Sequence, residues 1–334
     1  MNPRFSFIIP VYERPDELEA LLESFREVMP EDFPYEIIIV DDGSRKADLR
    51  KSVARFPDLP IRFLQQENAG PGAARNYGMQ HARGEWFVLI DSDVIFPGDY
   101  PMQLSAAVAR FPDAGMIGGR DTDHVSFSPF QKAVNLVMTS FCTTGGIRGN
   151  KTRVGKFVPR SFNMLVHRKV WDSIGGFSDM HPGEDPEWVY RWWQAGGKTA
   201  SYPDWKIFHK RRIDLRSFIR QIYKFAVTRV ILTKQFPGHF SWVFLAPVGF
   251  ILFLILSFFF KPVLYLLLFY LLCSFVEFLV RSRDVRVAFL ALPLIFIQNA
   301  AYAYGLIQGF IHLYLLGKEP RRAFPQLYFK TRKT

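Results

Sequence analysis

The chain has 334 residues, enough for one large domain or two ordinary ones with ample core. Its net charge of +11 is uneven: residues 1–204 carry 23 Lys/Arg against 27 Asp/Glu, residues 205–236 nine against one, 237–316 four against two, and 317–334 six against one. A nucleic-acid binder would carry its positive charge on the folded N-terminal part, so nucleic acid is not an expected partner. Two cysteines, Cys142 and Cys273, leave no disulfide framework and no cysteine zinc site.

The start, MNPRFSFIIPVYERPDEL, meets proline and charge too early for the apolar core of a signal peptide, so the first domain is expected in the cytoplasm. From Phe5 to about Pro203 strand and helix signals alternate. FSFIIPVY reads as a strand, and DELEALLESFREVM as a helix started at Pro15-Asp16. EIIIVDDGS and RFLQQENAG are further strands, GAARNYGMQHAR a helix entered through Gly-Pro-Gly, and EWFVLIDSD a strand ending in acids. Such alternation predicts an α/β fold with a mostly parallel, Rossmann-like sheet and right-handed crossovers. Asp41, Asp42, Asp91 and Asp93 then fall at carboxyl ends of strands, where open sheets bind ligands.

Residues 213–236 interleave Arg216, Arg220, Lys224 and Arg229 with Leu215, Phe218, Ile219, Ile222 and Phe225. That pattern suits a basic amphipathic helix at a membrane surface, or a solvated basic face packed on the first domain. Three apolar segments follow, about 237–260, 262–280 and 287–316, the second holding one charge, Glu277. About 20 residues span a bilayer as a helix, so the first two predict a transmembrane hairpin. Both the RSRDVR loop and the tail, 317–334, are basic, and the positive-inside rule would place both in the cytoplasm. A single crossing by the third segment cannot satisfy that. It is therefore either a pair broken near Pro293 or Gly305, or one crossing with a tail that defies the rule. The expected location is the inner cell membrane, multi-pass.

Several residues could carry chemistry. Two carboxylates as near as Asp91 and Asp93 repel unless a cation or strong donors stand beside them. Asp91-Ser92-Asp93 can be a turn held by local side-chain bonds, or a hard-oxygen site for Mg²⁺ or Mn²⁺. Glu184-Asp185, before Pro186 and a helical run, can be an N-cap with Asp185 as the cap, and a cap aspartate can still face a cleft as a base. The loop from Asn68 to Arg75 can be a plain turn or a helix terminus offering amides to an anion. His209 can ligate a metal or be structural, and Trp188, Trp192 and Trp193 fit core packing better than a sugar platform.

Taken together and in order, FSFIIPVYERPDEL, EIIIVDDGS, ENAGPGAARNYGM, DSD and GGFSDMHPGEDPEWVYRWWQAGG resemble the inverting glycosyltransferases of family 2, which have the GT-A fold. The likeness covers about residues 5–230. It implies a catalytic domain over 1–212 that uses a nucleotide-sugar donor with Mg²⁺ or Mn²⁺. Pro10, Glu13, Asp41, Arg75 and Asp91 would hold the donor. Asp91 and Asp93 match the metal-binding DxD motif, and His209 sits where many relatives place a metal-site histidine. Asp185 matches the catalytic base, with Glu184 beside it on the acceptor side. Apolar helices near such a cleft imply a lipid-linked or cell-envelope saccharide acceptor. A lipid phosphate is already ionised and needs little base, so Glu184-Asp185 leans toward a hydroxyl. Rival readings are a processive polysaccharide synthase, whose QxxRW signature is echoed weakly by Gln221-Ile-Tyr-Lys224-Phe225, a polyprenyl-phosphate glycosyltransferase, and an inactive membrane adaptor.

Overall fold

The computed structural model describes residues 3–122, 127–144, 153–209 and 214–329, without the side chains of 153–155 and of His209. The basic end of the tail, 330–334, lies outside the described residues. The chain divides into two compact units, Met1–His124 with Asn150–Lys210 and Tyr328–Thr334, and Val125–Gly149 with Arg211–Leu327.

In the first unit the chain runs β1 (Phe5–Val11), α1 (Pro15–Val28), β2 (Tyr35–Asp41), α2 (Leu49–Val53), β3 (Ile61–Gln65), α3 (Pro71–His81) and β4 (Trp86–Ile90). It continues through β5 (Val94–Ile95), α4 (Tyr100–Arg110) and β6 (Met116–Thr122). Helices α5 (Pro129–Thr139) and α6 (Phe141–Thr144) belong to the second unit. The first unit resumes with β7 (Arg153–Gly155), β8 (Asn163–His167), α7 (Arg168–Ile174), α8 (Glu184–Gln194) and β9 (Thr199–His209). The nine strands form one sheet of order β3-β2-β1-β4-β8-β6-β9-β5, with β7 paired to β9. β3, β2, β1 and β4 are parallel, as expected, while β8 runs against both β4 and β6, so the sheet is mixed.

Side chains of β1 and β2 are apolar on both faces because helices cover both. Phe5, Phe7, Ile9, Ile37 and Ile39 pack with Leu18, Leu22 and Phe25 of α1 and Leu104 of α4. Ile8, Ile38 and Val40 point the other way, toward Ala74 and Met79 of α3 and Trp188, Val189 and Trp192 of α8. Fully burying side chains of this size stabilises by roughly 1.5–3 kcal/mol each. This second layer has a functional consequence. It sets α3 and α8 on one face of the sheet, so their N-terminal residues arrive at the same edge.

Of the three tryptophans expected in the core, Trp188 and Trp192 lie in it and Trp193 is half-buried against it. Trp188 and Trp192 are buried, and their indole N–H groups donate to the Gly175 and Lys198 carbonyls at 2.7 and 3.0 Å.

The second unit holds α9 (Leu215–Gln235), α10 (Ala246–Ser257), α11 (Lys261–Ser282), α12 (Val285–Phe310), which runs on through a π turn at Ile311–Leu315, and the short α13 (Pro320–Ala323). Phe218, Ile222, Ala226 and Val230 of α9 are buried. The helix packs closely on α12 because Gly305 and Gly309 lie one turn apart there. A Cβ at Gly305 would stand 2.7 Å from Ala226 Cβ, and one at Gly309 2.9 Å from Val230 Cβ. Leu215 and Ile219 stay exposed beside Arg216 and Arg220.

Helix α12 is continuous through Pro293 and Gly305, so neither residue breaks the third apolar segment into a pair. Apolar neighbours such as Leu294, Ile295 and Ala291 are buried around the proline and hold the helix where its missing N–H would otherwise weaken it. The first segment departs the other way. After 3₁₀ turns at Pro237–His239 and Trp242–Leu245, only the 12 residues of α10 are helical, about 18 Å of rise. Lys261–Ser282 and Val285–Leu315 are long and apolar enough to cross a membrane. Glu277, the charge in α11, accepts from Ser140 Oγ (2.6 Å), the Phe141 and Cys142 amides (3.0 and 3.2 Å) and Arg281 Nη1 (3.2 Å).

Candidate active site

Two groups of acids stand at the carboxyl edge of the first unit's sheet. At the end of β2, Asp41 and Asp42 are both buried. Asp41 accepts from the Ser44 amide (2.9 Å) and Gln65 Nε2 (3.2 Å). Asp42 accepts from Gln66 Nε2 (2.7 Å) and from the amides of Ala69 and Gly70 (both 2.9 Å), so it holds the turn that enters α3. Burial raises the Asp42 carboxyl above its ordinary range, against the pull of those donors.

Glu13, in a left-handed conformation of φ 56°, bonds across from the neighbouring loop. Its carboxylate accepts from the amides of Arg45 (2.7 Å), Lys46 (3.0 Å) and Ala47 (3.0 Å), the Arg45 and Lys46 bonds doing most to lower its pKa. Thus Glu13 ties the β1–α1 and β2–α2 loops together. Pro10 stands between them on β1, beyond Ile8, the last residue paired with β4, where a missing N–H costs that ladder nothing.

The second group lies at the end of β4 and the starts of α3 and α8. Arg75 is 3% exposed. It donates through Nη2 to Asp91 Oδ1 at 2.5 Å, has Glu184 Oε1 3.9 Å from Nη1, and lies over the Phe177 ring at 5.6 Å. Burial works against its charge, but Asp91, Asp185 and Glu184 outweigh that and raise its pKa. Its buried Nε and Nη1 make no hydrogen bond. Asp93 Oδ2 accepts from Arg14 at 3.3 Å. Glu184 is buried and bonds His181 Nδ1 at 2.7 Å. Burial opposes its ionisation, yet His181 and Arg75 carry its pKa below the usual range.

Asp185 is set differently from the expectation. The cap of α8 is Gly183, at φ 122°, and Asp185 is the second helical residue, capping nothing. Glycine takes that backbone without strain, which frees the aspartate. Its Oδ2 accepts the Ser161 amide at 3.1 Å, while Oδ1 is buried with no partner. Burial first, and the Glu184 charge second, push its pKa from 3.8 to about 6. A carboxylate with one free oxygen and that affinity for a proton can act as a base near neutral pH. Acids at the amino end of a helix are also electrostatically favoured there.

Asp91 and Asp93 present hard oxygens, each already facing a guanidinium, and this suits a divalent cation of the Mg²⁺ or Mn²⁺ kind. Among the described residues no three His, Cys, Asp or Glu side chains gather to hold a metal alone. Asp91 and Asp93 could supply only part of such an ion's oxygen ligands. The backbone of His209 pairs with Val94, one residue past Asp93, but its side chain lies outside the described residues.

The structure thus joins Arg75, Asp91, Glu184 and Asp185, with Asp93 near them in sequence, and sets Glu13 and Asp41 in the neighbouring loops. Sequence reasoning missed Ser161, His181 and Arg14. His181 was within reach, three residues before Glu184 on the approach to one helix; Ser161, 24 residues from Asp185, left no such signal.

A family profile described as glycosyl transferase family 2 matches residues 6–173, and the chain belongs to that family of glycosyltransferases. EpsH of Bacillus subtilis is 38% identical over 105 residues, 31% of this chain and 30% of that protein. The succinoglycan biosynthesis protein ExoA of Rhizobium meliloti is 26% identical over 196 residues, 57% of this chain and 58% of its own length. The dolichyl-phosphate beta-glucosyltransferase ALG5C of Trichomonas vaginalis is 29% identical over 171 residues, 48% of this chain and 45% of its own. The chain therefore spans between about a third and three fifths of these relatives. In fold it is similar to the mannosyltransferase PcManGT of Pyrobaculum calidifontis, solved with GDP-Man and Mn²⁺, at TM-score 0.59 and 17% identity over 96% of this chain and 89% of that one. A likeness at TM-score 0.50 and 17% identity, over 94% and 92%, extends to S. aureus TarS 1–349 with UDP-GlcNAc. The fold is GT-A, with apolar helices at the C-terminal side.

Proposed function

We propose that this glycosyltransferase moves a sugar, with inversion at the anomeric carbon, from a nucleotide-sugar donor to a hydroxyl of a lipid-linked or cell-envelope saccharide. The observation that carries this reading is the free, buried oxygen of Asp185, whose pKa is raised to about 6, beside the buried Arg75. Asp185 takes the proton of the acceptor hydroxyl as its oxygen attacks the anomeric carbon. Glu184 faces the acceptor. Its negative charge, held by His181 and Arg75, keeps the base avid for protons. Arg75 offers the leaving diphosphate a positive charge fixed before the donor arrives. Asp41 and Pro10 line the donor side, and Glu13 keeps the two loops there in register. A Mg²⁺ or Mn²⁺ ion held by Asp91 and Asp93, with His209 as a further ligand, would offset the charge developing on the leaving nucleotide.

The setting is a membrane. Leu264, Phe269, Leu272 and Val276 of α11 and Phe289 and Ile307 of α12 are exposed, more apolar surface than water tolerates cheaply. PcManGT and TarS were solved in complex with GDP-Man and UDP-GlcNAc, which supports a nucleotide-sugar donor for this fold. In this reading the catalytic domain is cytoplasmic, α11 and α12 cross the inner cell membrane, and the basic face of α9 turns toward the headgroups.

A second reading, transfer to a polyprenyl phosphate, draws on the likeness to the dolichyl-phosphate glucosyltransferase. It leaves the base without work, because that acceptor is already ionised. A thermal-shift panel of UDP-, GDP- and dTDP-sugars with and without Mn²⁺ identifies the donor, and NMR of the product reads its anomer. Metal-dependent stabilisation by one donor class and an inverted product are expected; a retained anomer rejects the reading.

A further inference from the structure

The geometry points to Phe329, near the end of the chain, as a positioning residue for this active site. This rests on the reading of Arg75, Glu184 and Asp185 given above. After Leu327 the chain returns to the first unit. Tyr328 forms an antiparallel bridge with Met180, and the Phe329 amide donates to the Asp179 carbonyl at 3.1 Å. The Phe329 ring lies directly on Gly70: a Cβ there would stand 2.3 Å from Phe329 Cδ2, so only glycine leaves the ring its seat. The same ring lies 6.1 Å, centroid to centroid, from that of His181.

The two places the tail touches are the two approaches to the site. Gly70 caps α3, five residues before Arg75, and its amide is held by Asp42. Asp179 to His181 lead into α8, whose first two residues are Glu184 and Asp185. Asn76 also ties these approaches: it brackets Phe177, its Nδ2 donating to the Phe177 carbonyl and its Oδ1 accepting the Phe177 amide, both at 2.8 Å. Asn76 fixes one end of the 177–183 loop. Phe329 fixes the other end, where His181 meets Glu184. A half-buried ring between two such loops removes the freedom that would let Arg75 and the α8 acids drift apart, which is how a second layer of packing sharpens a site.

The test is hydrogen–deuterium exchange on the full-length protein in detergent, wild type against Phe329→Ala and Phe329→Tyr, with calorimetry of UDP and of GDP binding in Mn²⁺. In Phe329→Ala, amides of 68–72 and 179–183 are expected to exchange about tenfold faster, together, while the amide of Phe177 and the sheet stay protected. Nucleotide binding is expected to weaken by about tenfold, with the melting temperature unchanged and both effects reversed by Phe329→Tyr. Unchanged exchange in either loop overturns the inference, as does loosened exchange with undiminished nucleotide affinity. If the wild-type protein binds neither nucleotide, the reading of the site has failed, and the exchange data alone decide whether Phe329 ties the loops.

Discussion

The acids at the end of β2 and those at the starts of α3 and α8 share one sheet edge and one residue type, yet they are built for different work. Asp41, Asp42 and Glu13 spend their oxygens on backbone amides and glutamine side chains, and so set the shape of loops. Around Arg75 the groups are incompletely satisfied: a free oxygen on Asp185 and two unbonded guanidinium nitrogens. Buried polar atoms without partners cost about 1–3 kcal/mol each, a cost a fold carries where a substrate will supply the partner. Satisfied acids shape the cleft, and unsatisfied ones face what enters it.

The largest break in this contrast is Asp185→Asn. Transfer to a hydroxyl is expected to fall by about 10³-fold, measured as product per enzyme at saturating donor. The same change should stabilise the fold. Because the folded pKa is raised from 3.8 to about 6, the stability this group confers is present below pH 4 and lost as pH rises through 6. The Asn variant should therefore gain on the order of 1–2 kcal/mol at pH 8 and nothing at pH 4, by denaturant unfolding. Near-normal turnover would move the acceptor to a phosphate.

Arg75→Met comes next, since it strands Asp91, Glu184 and Asp185 together. A loss of about 3 kcal/mol is expected at pH 8, shrinking as the acids protonate. Glu184→Gln is subtler. It removes the second cause of the raised Asp185 pKa, so the acid limb of kcat/KM, expected at about 6, should move toward lower pH while burial keeps it above the usual value. A limb that does not move would mean that the two acids are not coupled. Glu13→Gln should do least: the loops loosen, and donor KM rises about two- to threefold with kcat unchanged.

Much of this was legible in the sequence because the signals are local. β1, β2 and β4 show as apolar runs ending in acids, and α3 and α8 as helical patterns behind glycine and proline. The reversed β8 was not legible, since NMLVH reads as a strand in either direction and only its neighbours decide. Nor was the cap of α8: Asp185-Pro186 looks like cap and first residue, and the positive φ of Gly183 moves the start two residues earlier. Arg75 could be placed near phosphate but not seen to be surrounded by three acids from two other segments. The helix of α9 is legible as a periodicity, yet Leu215 and Ile219 of its apolar positions stay exposed, and a periodicity does not name the cover of the residues that are buried. Two glycines on α12, some 80 residues away, supply that cover.

Glu277 carries one more consequence, about order of assembly. Its oxygens are capped by Ser140, Phe141 and Cys142, which a ribosome makes long before it reaches α11. The residues that receive the carboxylate are thus synthesised before the carboxylate is. A helix this oily can therefore neutralise its charge on partners already made, without waiting for the rest of the chain.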